Sequence, residues 1–154
     1  MNILSLDLAE KTGWSFNQPE INGGVWNCKP KNGSSKGMRL IKLRAFMQDF
    51  LNTVGSIDMI VYEKPAGRFM NGVISVAELV SVVKLFCEDN KIDYTSYRPT
   101  EIKKWATGKG NSNKAVMLKE AKQRWPEIHI IDDNMADAML MLAMTEADLG
   151  IPNT

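Results

Sequence analysis

A mixed α/β domain, a five-stranded sheet with helices on its faces, is the fold class that this sequence predicts. Three observations lead there. The first 28 residues hold three short strand-like runs separated only by turn-like stretches, the pattern of an antiparallel meander. Residues 38–97 then alternate between helical and strand-like spacing, the pattern of strands joined by crossover helices. The remainder is helical, interrupted by one glycine-broken loop and one proline. With 154 residues, 44% of them hydrophobic, the chain has the size and the apolar content of one ordinary domain.

Residues 2–8 read as a strand whose apolar run is interrupted by Asp7. Residues 10–13 read as a turn, 14–16 and 24–28 as the second and third strands, and 19–22 as the turn between them. The Lys-, Gly- and Ser-rich stretch 29–37 is an exposed loop. Apolar residues at 40, 41, 43, 46, 47, 50, 51 and 54 predict a helix over 38–54. Residues 58–62 form a buried strand ended by Glu63, 64–69 a loop, 73–90 a long helix, and 92–97 the last strand. Right-handed crossovers place the Glu63 strand beside the first, so Asp7 and Glu63 emerge side by side. A short helix over 99–105, a polar loop over 107–113 and a basic helix over 114–125 follow. A Met/Leu/Ala-rich helix beginning at the Asp-rich stretch 132–138 closes the domain, which spans 1–150 and leaves 151–154 as a tail.

Composition narrows the function classes. Cys28 and Cys87 are too few and too isolated for a disulfide framework or a zinc site. No unbroken run of eighteen apolar residues occurs, so no membrane span is expected, and the start of the chain shows no signal-peptide plan. A cytoplasmic setting, in a bacterial or phage-infected cell, is the expectation. The formal charge is only +1, yet residues 98–124 carry eight basic residues and two acidic ones. Such a concentration points to a polyanion.

The acids carry the chemistry. On a helix, residues three or four apart share a face, so Asp133 and Asn134 can each stand beside Asp137. Capping accounts for Asp132 or Asp133, because Asp is a favoured N-cap, but not for Asp137 inside the helix. Asp7 and Glu63, each at the end of a strand, can meet Asp137 at one end of the sheet. Carboxylates gathered from distant segments form a hard-oxygen site that suits Mg²⁺ or Mn²⁺ rather than zinc. Two such ions, about 3.5–4 Å apart, can activate water and stabilise the leaving oxygen in phosphodiester cleavage.

Several stretches together resemble a known family. Residues 3–8 followed by Thr12-Gly13-Trp14 look like the first strands of a ribonuclease H-like fold, and Tyr62-Glu63-Lys64-Pro65 looks like its second acidic motif. The run from Pro99 through Lys103-Lys104-Trp105 and Gly108-Lys109-Gly110 to Lys114, with Ala136-Asp137-Ala138, is similar to RuvC, the Holliday junction resolvases. The resemblance implies a dimeric endonuclease that uses two Mg²⁺ ions, replaceable by Mn²⁺, to cut four-way DNA junctions. By motif position, Asp7, Glu63 and Asp137 become metal ligands, and Lys103 and Lys114 DNA contacts, with Lys104 and Lys109 in the same stretch. Family members usually place Asp or His three residues before the last acid, where this chain has Asn134. The fourth ligand is then Asn134 by register or Asp133 by charge, and charge favours Asp133. Family members also carry an aromatic residue soon after the second acid. Phe69 is the candidate at a different spacing, and with Arg68 it would probe the junction centre or pack in the dimer. The chain is short for a bacterial member and looks closer to a phage or mobile-element version.

Alternatives remain open at this level: a related nuclease acting on other branched, flap or single-stranded DNA, or a catalytically silent nucleic-acid-binding module. Trp14 and Trp26 are expected to pack on the sheet. Trp105 would stack on DNA or anchor its own helix, Tyr62 would face away from Glu63, and His129 receives no role. Leu79, Val82 and Leu85 give the 73–90 helix more apolar surface than one sheet contact uses, which predicts a two-fold dimer contact through it.

Overall fold

Strand-forming sequence pairs with its nearest neighbours first. In a computed structural model, which describes residues 1–152, β1 (Ile3–Asp7), β2 (Lys11–Phe16) and β3 (Asn22–Asn27) form an antiparallel meander. The connection between β1 and β2 is tighter than the sequence predicts. Lys11, Thr12 and Gly13, expected in a turn, already pair with β3, because buried Thr12 faces inward and the chain reverses over residues 8–10. β4 (Met59–Glu63) then adds parallel to β1, and β5 (Asp93–Tyr97) parallel to β4, so the sheet order is β3-β2-β1-β4-β5.

The helices divide between the two faces because alternate residues of each strand point to opposite sides. Leu4 and Leu6 of β1 and Ile60 and Tyr62 of β4 enter one core with α1 (Met38–Val54) and α2 (Met70–Asn90). Ile3 and Val61 enter the other, with α3 (Pro99–Thr107), α4 (Lys114–Arg124) and α5 (Asp133–Asp148). Trp14 and Trp26 stack at 6.0 Å on the α1 side, where Phe46 and Phe50 close over them. Both tryptophans therefore pack on the sheet as expected, and Tyr62 points away from Glu63. α5 is buried on almost every side, with Met135, Ala136 and the run from Ala138 to Met144 excluded from water.

Three expectations need correction. α2 starts three residues early, at Met70, directly after the exposed Phe69. Leu79 does not lie on an outer face: it is 1% exposed within the α1–α2 core, and Val82 packs against that core. Ile151, expected in a tail, is half-buried against the second core, and its N–H donates to the Glu146 carbonyl at 2.9 Å, completing the end of α5. Residues 153–154 lie outside the described residues. α2 is long and apolar enough, at 21 residues and a mean hydropathy of 1.6, to cross a bilayer by those measures, though no unbroken apolar run marks it. Here Val80, Val83, Phe86 and Cys87 bury one face in the domain core, and Glu78 on another face holds Arg39 of α1 at 3.0 Å.

Candidate active site

Asp7 is the last residue of β1 and Glu63 the last of β4, and the pairing of Leu6 with Tyr62 sets the two acids next to each other. Each lies two residues beyond a neighbour on the α5 side of its strand, Asp7 after buried Ser5 and Glu63 after Val61. Both carboxylates therefore rise toward the start of α5.

A glycine lets that helix come close. Gly13 pairs with Asp7 across β1 and β2, and a Cβ at position 13 would collide with the Asn134 carbonyl and the Met135 amide. The absent side chain seats the first turn of α5 directly on β2, beside Asp7. Asp132 caps the helix, accepting a hydrogen bond from the Met135 N–H at 2.9 Å. The Asn134 carboxamide donates to the Lys11 carbonyl at 2.8 Å, a second clasp between the helix and the strand. With Asn134 turned to β2, Asp133 is left to face Asp137 one turn on.

Charge and burial make this a strained group of acids. Burial raises the Asp7 carboxyl well above its ordinary value, and the negative charges of Asp137, Glu63, Asp133 and Asp132 raise it further. Asp137 is pushed up to about 7, by burial first and then by Glu63 and Asp133, while Lys103 and Lys114 pull it down. Burial likewise raises Glu63, against the lowering effect of Lys103. Lys114 also lies 3.6 Å from Asp133. Among the described residues, no three of these side chains already close into a metal cage. The donor set nevertheless fits a divalent cation. It consists of several carboxylates with no thiol or imidazole, and the Asp137 Oδ1 is buried with no hydrogen-bond partner.

The structure thus brings together Asp7, Glu63, Asp133, Asp137, Lys103 and Lys114. Lys104 and Lys109 are exposed nearby, Lys104 on α3 and Lys109 on the loop after it, where the left-handed Gly108 turns the chain out of the helix. Arg68 and Phe69, the latter 80% exposed, sit on the loop after Glu63. Trp105 anchors α3: it is partly buried in the second core and lies under the Arg124 guanidinium at 4.5 Å. Sequence reasoning missed the roles of Gly13 and Asn134. Both follow from the approach of two segments more than 120 residues apart, and no local pattern marks such an approach.

No protein-family model matches the chain. Over 66 residues it is 39% identical to the crossover junction endodeoxyribonuclease RuvC of Brachyspira hyodysenteriae. That match covers 43% of this chain and 41% of the relative, less than half the length of either. Among solved structures, Thermus thermophilus RuvC in complex with a Holliday junction substrate superposes with a TM-score of 0.76 at 16% identity, covering 98% of this chain and 95% of that one. T. thermophilus RuvC is also similar in a second structure, with a TM-score of 0.71 at 14% identity and 98% of both chains covered. The yeast mitochondrial Holliday junction resolvase Ydc2 follows at 0.57 and 18% identity, over 90% of this chain and 74% of Ydc2. The chain therefore has the fold of RuvC, a ribonuclease H-like mixed sheet between two helical layers.

Proposed function

We propose that this protein is a metal-dependent endonuclease that cleaves phosphodiester bonds in four-way DNA junctions. The observation that carries the reading is the convergence of Asp7, Glu63, Asp133 and Asp137 from three separate segments at one end of the sheet, beside Lys103 and Lys114. The partial identity to a crossover junction endodeoxyribonuclease, together with the RuvC fold, supports a junction as the substrate.

Asp7, Glu63, Asp137 and Asp133 would hold two Mg²⁺ ions, or Mn²⁺ in their place. When bound, such ions supply a water of lowered pKa and neutralise charge on the leaving oxygen. Asp7, the acid on which the charges of all the others converge, is the central ligand. Asp137 brings a carboxylate oxygen that has no other partner. Lys103 and Lys114 stand where a phosphate would arrive and hold it by charge. Lys114 can pass from Asp133 to the phosphate as the carboxylate turns to a cation. Asn134 stays with Lys11 and fixes the start of α5. Two equivalent cuts in a junction call for two sites related by a two-fold axis, so the working form is a homodimer. The face of α2 left to make it carries Met70, Ile74, Ala77 and Leu85.

The test is a panel of labelled substrates comprising a four-way junction, a flap, a duplex, a single strand and an RNA–DNA hybrid, assayed with Mg²⁺ and Mn²⁺. Preferential cutting of the junction is expected. Asp7→Asn, Glu63→Gln and Asp137→Asn should each lower cleavage by about 10²-fold or more while junction affinity is kept. Asp133→Asn should cost more cleavage than Asn134→Ala, whose loss is of stability, about 1 kcal/mol for one hydrogen bond. Full activity in any of the first three variants would remove that residue from the site.

A further inference from the structure

A second concentration of positive charge lies in a segment that the site chemistry does not use. Residues 29–44 contain Lys29, Lys31, Lys36, Arg39, Lys42 and Arg44 and not one acid. With residues 98–124 they hold fourteen of the nineteen Lys and Arg of a chain whose formal charge is +1. Two of the six are committed inside the fold. Arg39 donates to the Ser75 carbonyl at 3.1 Å and to Glu78 at 3.0 Å. Lys42 Nζ donates to the Lys29 carbonyl at 2.8 Å, which pins the start of the loop onto α1. Lys29, Lys31 and Lys36 remain exposed on the loop itself.

Topology fixes where that loop stands. β3 runs in the same direction as β1, with β2 between them, and its last residue, Asn27, pairs with Lys11. The next N–H, of Cys28, donates to the Glu10 carbonyl at 2.7 Å. The loop therefore leaves the sheet at the end where Asp7 lies, from the edge strand β3. At the opposite edge, β5 finishes at the same end and leads into α3, and Lys114 of α4 reaches Asp133. Along the sheet, the acids on the central strands thus lie between two basic lips at the same end, the β3–α1 loop at one edge, where it turns toward α1, and α3 with α4 beyond the other edge on the α5 face. From β3 to β1 is two strand spacings, roughly 10 Å, which corresponds to about three base pairs along a duplex axis.

We propose that Lys29, Lys31 and Lys36 form a second phosphate-binding lip, which holds a duplex arm of the DNA on the side of the active site away from Lys103 and Lys114. The inference rests on the nuclease reading above. A strand passing over a cluster of carboxylates is repelled there, and cations on both flanks hold it across the gap. Lysines on a loop act as point charges for phosphate and carry no reading of base edges, so this lip sets position and affinity but not sequence preference.

The test is anisotropy titration of a labelled four-way junction in EDTA across a series of KCl concentrations. It compares the whole wild-type chain with Lys29→Gln/Lys31→Gln/Lys36→Gln and with Lys104→Gln as a variant of the other lip. Each lost phosphate contact lowers the slope of log affinity against log salt by about 0.9, so the triple variant should be shallower by about 2–3. Its cleavage rate at saturating junction in Mg²⁺ should match wild type. Should the triple variant melt early, Lys36→Glu alone at its exposed position should still lower the slope by about 1 or more. Wild-type protein that binds and cuts the junction while the folded loop variant keeps the full slope overturns this inference and leaves the nuclease reading standing. Wild-type protein that neither binds nor cuts it overturns both.

Discussion

A methyl group at position 13 would meet backbone, not a side chain that can turn away, because the atoms it reaches belong to Asn134 and Met135. Gly13→Ala must therefore lift the first turn of α5 from β2 and carry Asp133 and Asp137 away from Asp7. Overpacking of this kind costs about 1–3 kcal/mol. Displacing reacting groups by about 1 Å costs on the order of 10²-fold in rate. The expected outcome is a folded protein with a lowered melting temperature and cleavage reduced about 100-fold, read by thermal melting and a junction assay on one preparation. A Gly13→Ala protein with wild-type rate would mean that the approach of α5 does not set the site. Residue roles of this kind were only half legible in the sequence. Asp7 and Glu63 stood out because each interrupts or ends an apolar run, and Asp137 because it sits inside a buried helix. Gly13 looked like an ordinary turn residue because the atoms that require it lie on the other end of the chain.

Elements were easier to read than contacts. α1 and β4 declared themselves by apolar spacing, and the parallel placement of β4 beside β1 followed from crossover handedness. The α2 face was misjudged for a physical reason: a helix rich in valine and leucine on several sides does not announce which of them meets the sheet. Leu79 and Val82 turn to the core, while Met70, Ile74 and Leu85, the last 59% exposed, line the outside with Ala77 and Ser81 between them. These five recur every three or four residues and share one side of α2. That stripe is the surface a two-fold partner would cover, a self-complementary patch with small residues at its middle. Ile74→Glu and Leu85→Glu are expected to give folded monomers by sedimentation at micromolar concentration, with paired nicking of a junction reduced. Leu79→Glu should instead unfold the domain, since it buries a charge in the core. A wild-type monomer that cuts both strands in one binding event would remove the dimer from the proposal.

At the scale of the whole molecule the acid cluster works against folding. Asp137 titrates at about 7 in the folded chain against an ordinary value of 3.8, and Asp7 and Glu63 shift in the same direction. A raised carboxyl binds its proton more tightly in the native state. Its contribution to stability is therefore complete below about 3.8 and is lost as pH climbs through about 7. In EDTA, wild-type protein should lose melting temperature between pH 5 and pH 8 more steeply than Asp137→Asn does. Millimolar Mg²⁺ should recover most of the difference at pH 8, because an ion bound only by the native state stabilises it. Parallel melting curves for the two proteins across that range would show that Asp137 is not held as a neutral acid.

The acids that gather at one end of the sheet are scattered along the chain, at 7, 63, 133 and 137, and the helix that brings the last two is also the one the second core is built around. During synthesis, therefore, the emerging chain lacks its full set of acids until residues 133–137 have been added. The sheet can pair and α1 and α2 can dock while Asp7 and Glu63 wait without partners. Only when α5 packs onto β2 over Gly13 can the second core and the full set of acids come together. On the nuclease reading, a nascent or truncated chain lacking that helix is expected to leave DNA uncut, as a junction assay on a chain ending before Asp132 would check.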